Sequence, residues 1–428
     1  MAASMDAGIK YQIAALMIIG FGGKAGIFLE HFWLPEAHPV APTPASALLS
    51  GAMIKAGAYG IFRVVNHLFI PQGEATGDWL TLSNIGYVTI WVGVVTMFFA
   101  VLSALISSDS KRMLAFHSVS QMGYIVLGIG CAAYLGREGA MGVAGALYHI
   151  VNHALFKAAL FLGVGAVYFR TRELDMYKLG GLWRNMPVTA VCLFIAVCGI
   201  SGIPFFNGFA SKTILHHAIL ESYELKHDLF LQIAEKIFIV TAAGTFASNM
   251  KMFMLIFLGK RSRKYEHVEP APLTMKIALV AFSTVILFLG FFPNWLLETA
   301  IGPGLASFGF DAHSHAYHLL YNVQTQVSGL AILYPGAESF GRVVHNILDG
   351  GIAVLLGGAI MFLGLKFGWF HVKVPKFLTF EWFYRVANAG FLWLANRLLG
   401  VSEVSRVESY KGTKLSPGKW SPPHGEGD

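Results

Sequence analysis

Charge is scarce in this chain: Asp, Glu, Lys and Arg make up 13% of its 428 residues, against 55% hydrophobic ones. That is too little polar surface to coat a water-soluble globule of this size, so the solvent for much of the chain is lipid. Cysteine is scarcer still, at three residues. Cys131, Cys192 and Cys198 sit in apolar stretches without C-x-x-C spacing, which argues against a metal or iron–sulfur centre and for small core residues. Short alternating segments that would mark a closed β-barrel do not stand out. No nucleotide loop, haem ligand pair or cluster motif is evident, so no cofactor and no redox chemistry are expected in this chain. No cleavable leader is evident either, because Met1 to Lys10 leads straight into a span.

What is there is a set of long apolar runs, among them 85–107, 186–200, 237–258 and 275–293. A helix needs about 20 such residues to cross the hydrocarbon layer. The pattern predicts an all-α polytopic membrane protein with about nine transmembrane helices, at 10–29, 45–66, 85–107, 113–131, 139–169, 186–215, 230–258, 273–293 and 343–367. The net charge of +7 is carried in short loops and not in a patch interleaved with aromatics, so nucleic acid is not the expected partner. If the spans alternate, Lys111 and Arg112, then Arg170, Arg172, Lys178 and Arg184, then Lys260, Arg261, Arg263 and Lys264 share one side. The positive-inside rule makes that side the cytoplasm. The N-terminus is then outside, and the C-terminus is inside with Lys373 and Lys376.

Segment 294–342, with His313, His315 and His318, reads as a wet extracytoplasmic loop, since no Cys or carboxylate constellation completes a metal ligand set. Residues 379–402 mix aromatics with Glu381, Arg385 and Arg397 and read as an amphipathic helix at the interface or against a partner. The Pro/Gly-rich end is expected to be disordered.

The informative residues are ionisable groups inside apolar runs, because a charge near the bilayer centre costs about 2.5–3.5 kcal/mol on insertion scales. Lys24, Lys55, Lys157 and Lys212 are such groups. Lys24, flanked by a helical turn of apolar residues on both sides, suits snorkelling poorly. His149, His153 and Lys157 are spaced by four and so stack on one helix face, about 6 Å of rise apart. Neutral imidazole accepts a proton on one nitrogen and donates from the other, which makes this a wire-like spacing. Two runs also look broken: Gly22 and Gly23 precede Lys24 with Pro35 beyond, and Gly202 and Pro204 precede Lys212. Interrupted helices of this kind are tolerated where they line a protein cavity, and transporters place them at ion sites in corresponding members of a repeat.

The stretches GKAGIFLEHFWLPEAHPVAPTPASALLSGAMIKAGAYG, DSKRMLAFHSVSQMGY, ALYHIVNHALFKAALFLG and GGLWRNMP with GIPFFNGFASKTIL closely resemble the antiporter-like subunits of complex I, multisubunit cation/proton antiporters and membrane-bound hydrogenases. The resemblance runs from about residue 12 to 260. It implies two inverted repeats, each with a broken helix. On that pattern 1–66 ends the first half-channel, 67–260 is the whole second one, 261–376 adds helices and a loop, and 377–428 is the amphipathic helix and tail. It makes Lys24 the key lysine of the first half-channel, Lys55 and the His149/His153/Lys157 helix the connecting elements, and Lys212 the terminal lysine. The family's earlier helices, with the glutamate that pairs with the lysine at the Lys24 position, have no counterpart in these residues. A separate chain could supply them, or the sequence is a truncated product; Glu30 is a local candidate for the acidic partner. The implied function is proton translocation within a redox-driven complex of a bacterial or archaeal cytoplasmic membrane, with other membrane subunits as partners. The alternatives are a non-conducting scaffold and a component of a Na⁺/H⁺ antiporter.

Overall fold

The computed structural model describes residues 6–69, 76–260, 263–307 and 339–371, with 382, 386, 389–394 and 397 beyond them. Contacts divide the chain into two compact units, Met1–Val372 and Lys373–Asp428. In the second unit the described residues are helical, and Trp382, Val386, Phe391 and Trp393 are exposed. The rest of the expected amphipathic helix, the tail and the histidines at 313, 315 and 318 lie outside the described residues.

The first unit is a helical bundle. Its elements are α1 (Ala7–Ala25), α2 (Trp33–Val40), α3 (Thr43–Leu68), α4 (Thr76–Ile106), α5 (Ser110–Leu135), α6 (Ala140–Thr171), α7 (Pro187–Ser201), α8 (Asn207–Lys226), α9 (Leu229–Phe257), α10 (Leu273–Phe291) and α11 (Ser339–Phe367). Six of them, α3, α4, α5, α6, α9 and α10, are long and apolar enough to cross a membrane by length and composition. Two shorter apolar helices accompany them among the described residues, α7 (Pro187–Ser201) and the stretch Gly351–Phe367 of α11, where nine spans were expected. α5 and α6 are the most buried of the six, and α10 the least. The core therefore sits around α5 and α6, and α10 turns Ile277, Val280, Val285 and Phe288 outward.

Small residues set the closest helix approach, since lipid provides no hydrophobic drive for helices to associate and contact area must come from fit. Between α4 and α5, a Cβ at Gly93 would lie 2.5 Å from the Leu127 nitrogen and one at Gly123 2.5 Å from the Met97 nitrogen. The two backbones pack directly on each other.

Both expected interruptions exist, and the first sits later than the sequence suggested. α1 runs through Gly22 and Gly23 and ends at Gly26, whose φ of 73° is the left-handed conformation glycine takes without strain. The Gly26 N–H donates to the Gly22 carbonyl at 2.7 Å. Pro35 does not break a helix: it occupies the first turn of α2, where a missing N–H costs nothing. The second break is where Gly202 and Pro204 placed it. α7 ends on Gly202 at φ 73°, with the Ile203 N–H donating to the Cys198 carbonyl at 3.2 Å, and α8 starts at Asn207.

Candidate functional site

α6 supplies the centre of the site. His149, His153 and Lys157 are all fully buried. The two imidazoles lie nearly parallel, centroids 6.2 Å apart and planes 16° apart, which is the stacking their four-residue spacing requires. α3, α5 and α8 wrap this face and add the other polar groups.

At one end of the row, the Lys157 ammonium donates to the Leu114 carbonyl of α5 at 2.6 Å and lies over the Phe161 ring. The same carbonyl accepts the Ser118 hydroxyl at 3.0 Å, and Ser118 meets Ser50 of α3 at 2.7 Å. Lys55, one turn beyond Ser50, donates to the Ser50 carbonyl. A π-helical turn at Leu49–Met53 distorts α3 at this point; such wide turns recur where a helix must aim polar groups inward.

At the other end, His149 bonds on both ring nitrogens: Nδ1 to the Ser211 hydroxyl at 2.9 Å and Nε2 to Gln121 Oε1 at 3.0 Å. Asn152, also on α6, donates to the Ser211 hydroxyl at 3.0 Å and to the Asn207 carbonyl at 2.7 Å. Ser211 is the residue before Lys212. The Lys212 ammonium donates to the Ile200 carbonyl at 2.7 Å and lies 5.3 Å from the centre of the Tyr124 ring. Ile200 is in the last turn of α7, so its carbonyl is one of those a helix end leaves without a backbone partner. The broken helix thus provides the oxygen that holds the lysine. His153 lies between the two ends, and neither of its ring nitrogens has a hydrogen-bond partner among the described residues.

Two expectations are corrected. Lys24 stands on the exposed side of α1, away from the buried row. α1 is covered on its other face, where Gly57 of α3 meets the α1 backbone at Phe21 and Ala25, so the face with Gln12, Leu16, Gly20 and Lys24 has nothing over it among the described residues. Glu30 forms no ion pair with Lys24 within 4.0 Å. Its carboxylate turns back over Gly22 and Gly23, where one oxygen is buried without a partner. Lys55, His149, His153, Lys157 and Lys212 are brought together; Lys24 and Glu30 are not.

The structure adds residues that the sequence reading passed over. Ser50, Ser118, Gln121, Asn152, Asn207 and Ser211 carry no charge, so a search for ionisable groups inside apolar runs does not pick them out. A second buried set comprises His117, whose Nε2 meets the Ser248 hydroxyl at 2.6 Å, and Lys251, which donates to the Leu105 and Ser107 carbonyls at 2.6 and 3.2 Å. Their spacing was available: His117 and Gln121 are four apart on α5, Ser248 and Lys251 three apart on α9. His38 of α2, fully buried and stacked on Phe161 at 4.6 Å, likewise has no hydrogen-bond partner on either nitrogen among the described residues. Among the described residues no group of three or more His, Cys, Asp or Glu is placed to hold a metal. Outside the spans, burial pushes the Asp109 carboxyl up, partly offset by backbone N–H bonds from Arg112 and Lys111.

Residues 4–238 match the family described as NADH:quinone oxidoreductase/Mrp antiporter, TM. Component B of hydrogenase-4 from Escherichia coli (strain K12) is 36% identical over 304 residues, 68% of this chain and 44% of that protein. A Na(+)/H(+) antiporter protein from Alkalihalophilus pseudofirmus, one subunit of its antiporter, is likewise 36% identical over 304 residues, 68% of this chain and 36% of its own. The chain thus spans less than half the length of either relative. A chain of the Mrp complex from Dietzia sp. DQ12-45-1b superposes with a TM-score of 0.62 at 26% identity, covering 74% of this chain and 63% of that one.

Proposed function

This chain belongs to the NADH:quinone oxidoreductase/Mrp antiporter transmembrane family, and from that membership we propose that it is a proton-translocating membrane subunit of a redox-driven complex. The observation that carries the reading is the buried row Lys55, Ser50/Ser118, Lys157, His153, His149, Ser211/Asn152 and Lys212, drawn from four different helices onto one path. Groups this expensive to bury in a membrane mark a route for protons or ions. A buried lysine holds its proton weakly, and a neighbouring positive charge weakens that hold further. Loading one lysine therefore favours release from a neighbouring one, and the Ser50 and Ser118 hydroxyls with the Leu114 carbonyl join Lys55 to Lys157. The Gln121 amide oxygen accepts from His149 Nε2 and so fixes the ring, which leaves Nδ1 to exchange a proton with the Ser211 hydroxyl. His153, stacked on His149 and one helical turn from Lys157, stands between the two ends.

The protein is an integral membrane protein. We place its N-terminus outside and the end of α9 in the cytoplasm, from the basic residues at 111–112, 170–184 and 260–264. Its partners are other membrane subunits, and the redox chemistry belongs to them. Relatedness to a Na(+)/H(+) antiporter protein supports a second reading, exchange of sodium for protons. The nitrogen-rich lining suits protons better, because a dehydrated alkali cation takes oxygen ligands. The test is Lys212→Ala and His153→Ala in the assembled complex, with proton translocation and electron transfer measured in the same membranes. Loss of translocation with the complex intact is expected; normal pumping by normally assembled variants overturns the path.

A further inference from the structure

Polar groups continue beyond Lys212, away from the row. A cavity of about 60 Å³ lies against Lys212, bounded by Ser201, Gly202, Thr213, His216 and Phe238. Ser201 presents a buried hydroxyl with no protein partner. His216 is one helical turn past Lys212 on α8, on the same face. Its Nε2 meets Glu235 Oε1 of α9 at 2.8 Å, and the Glu235 side chain is 4% exposed. The other carboxylate oxygen, Oε2, is paired with Lys236 at 2.8 Å, whose side chain is 68% exposed. Lys212, His216, Glu235 and Lys236 thus form a graded series from a buried amine to a solvated one. It ends near the turn where α8 finishes and α9 begins, the side opposite the basic loops.

We propose that His216 and Glu235 are the outlet station of the Lys212 cavity and that they pass protons and refuse sodium ions. This rests on the proton-translocating reading. In the step, Lys212 gives its proton through water to one ring nitrogen of His216, and the Nε2 proton moves to Glu235 Oε1. Release from Glu235 to water restores the carboxylate, and no electron moves. Selectivity follows from the Glu235 contacts: both oxygens are held by nitrogen donors, so a sodium ion arriving there would meet two groups able to carry positive charge and no free oxygen cage.

The experiment uses membranes holding the complete complex and reads protons moved per electron. Glu235→Gln is expected to lower that ratio about tenfold or more, the scale of losing a positioned proton acceptor, and Glu235→Asp to restore most of it. His216→Gln can still hydrogen-bond Glu235 but cannot exchange a proton, so it should fold normally and show the same loss. Replacing potassium by sodium in the medium should leave the wild-type ratio unchanged. If Lys212→Ala abolishes pumping while Glu235→Gln and His216→Gln pump normally, the outlet is overturned and the path stands. Normal pumping by Lys212→Ala overturns the path and the outlet with it. Failure of the Asp variant to rescue, or a sodium-dependent ratio, overturns the role given to Glu235.

Discussion

Replacing Lys157 by methionine should separate fold from function. The ammonium is fully buried and makes one hydrogen bond, to the Leu114 carbonyl at 2.6 Å. Losing a hydrogen bond from a charged donor costs about 1.5–3 kcal/mol. Against this, the substitution removes a group whose burial costs about 2.5–3.5 kcal/mol at a helix centre. Nor does it orphan the acceptor, because the Ser118 hydroxyl still donates to Leu114 at 3.0 Å. Methionine is close to lysine in length and volume and flexible enough to settle over Phe161. The expected change in stability therefore lies between about 2 kcal/mol of gain and about 0.5 kcal/mol of loss, in line with buried charges giving way to apolar residues of like volume. Proton translocation per electron should be lost. The assay pairs thermal unfolding of the purified complex with pumping in membranes. A variant that unfolds several kcal/mol more easily would mean Lys157 is held for structure; one that is stable and pumps normally would remove Lys157 from the path.

Three further outcomes follow from local geometry. Gly208→Ala places a Cβ 1.9 Å from the Gly199 carbonyl oxygen where α8 meets α7; overpacking of this kind costs about 1–3 kcal/mol, read as a lower unfolding midpoint and less assembled protein. Asp109 caps α5 by accepting the Arg112 N–H at 2.8 Å, so Asp109→Ala should cost about 1 kcal/mol while Asp109→Asn keeps the cap. Because burial raises the Asp109 carboxyl above its ordinary 3.8, ionising it works against the fold: its stabilising contribution is complete below that value and is lost as pH rises through the folded value. Asp109→Asn should therefore remove a fall in the unfolding midpoint across that window, and an unchanged pH profile would contradict the assignment. Arg112 and Glu36 pair at 3.0 Å with side chains 39% and 61% exposed; Glu36→Ala should shift stability by no more than about 1 kcal/mol, checked in the same unfolding assay.

The spans and the charged members of the row were legible for one reason: in lipid a lysine or histidine is conspicuous, and a four-residue spacing fixes which face it occupies. Lys55, His149, His153, Lys157 and Lys212 all follow from that. The serines and amides that join them were not legible, because a hydroxyl costs little to bury when it can donate to its own helix, as Ser118 does to Leu114 and Ser222 to Ala218. Only contact between helices separates such a serine from Ser211, which bonds His149 and Asn152 of another helix. The position of the first break was misread for a similar reason. Glycine permits an interruption without requiring one, and the chain stays helical at Gly22 and Gly23 before turning at Gly26, where the backbone adopts a positive φ. Lys24 marks the boundary of inference from hydropathy. Its apolar neighbours place it in a membrane helix, but they do not say whether the helix face it shares with Gln12 and Gly20 turns toward Lys55, and packing of Phe21 and Ala25 on Gly57 turns it away. Lys24 also stands in the last turn of α1, beside the Ala25 that ends the helix, where hydropathy does not separate a lysine of the buried row from one at a helix end.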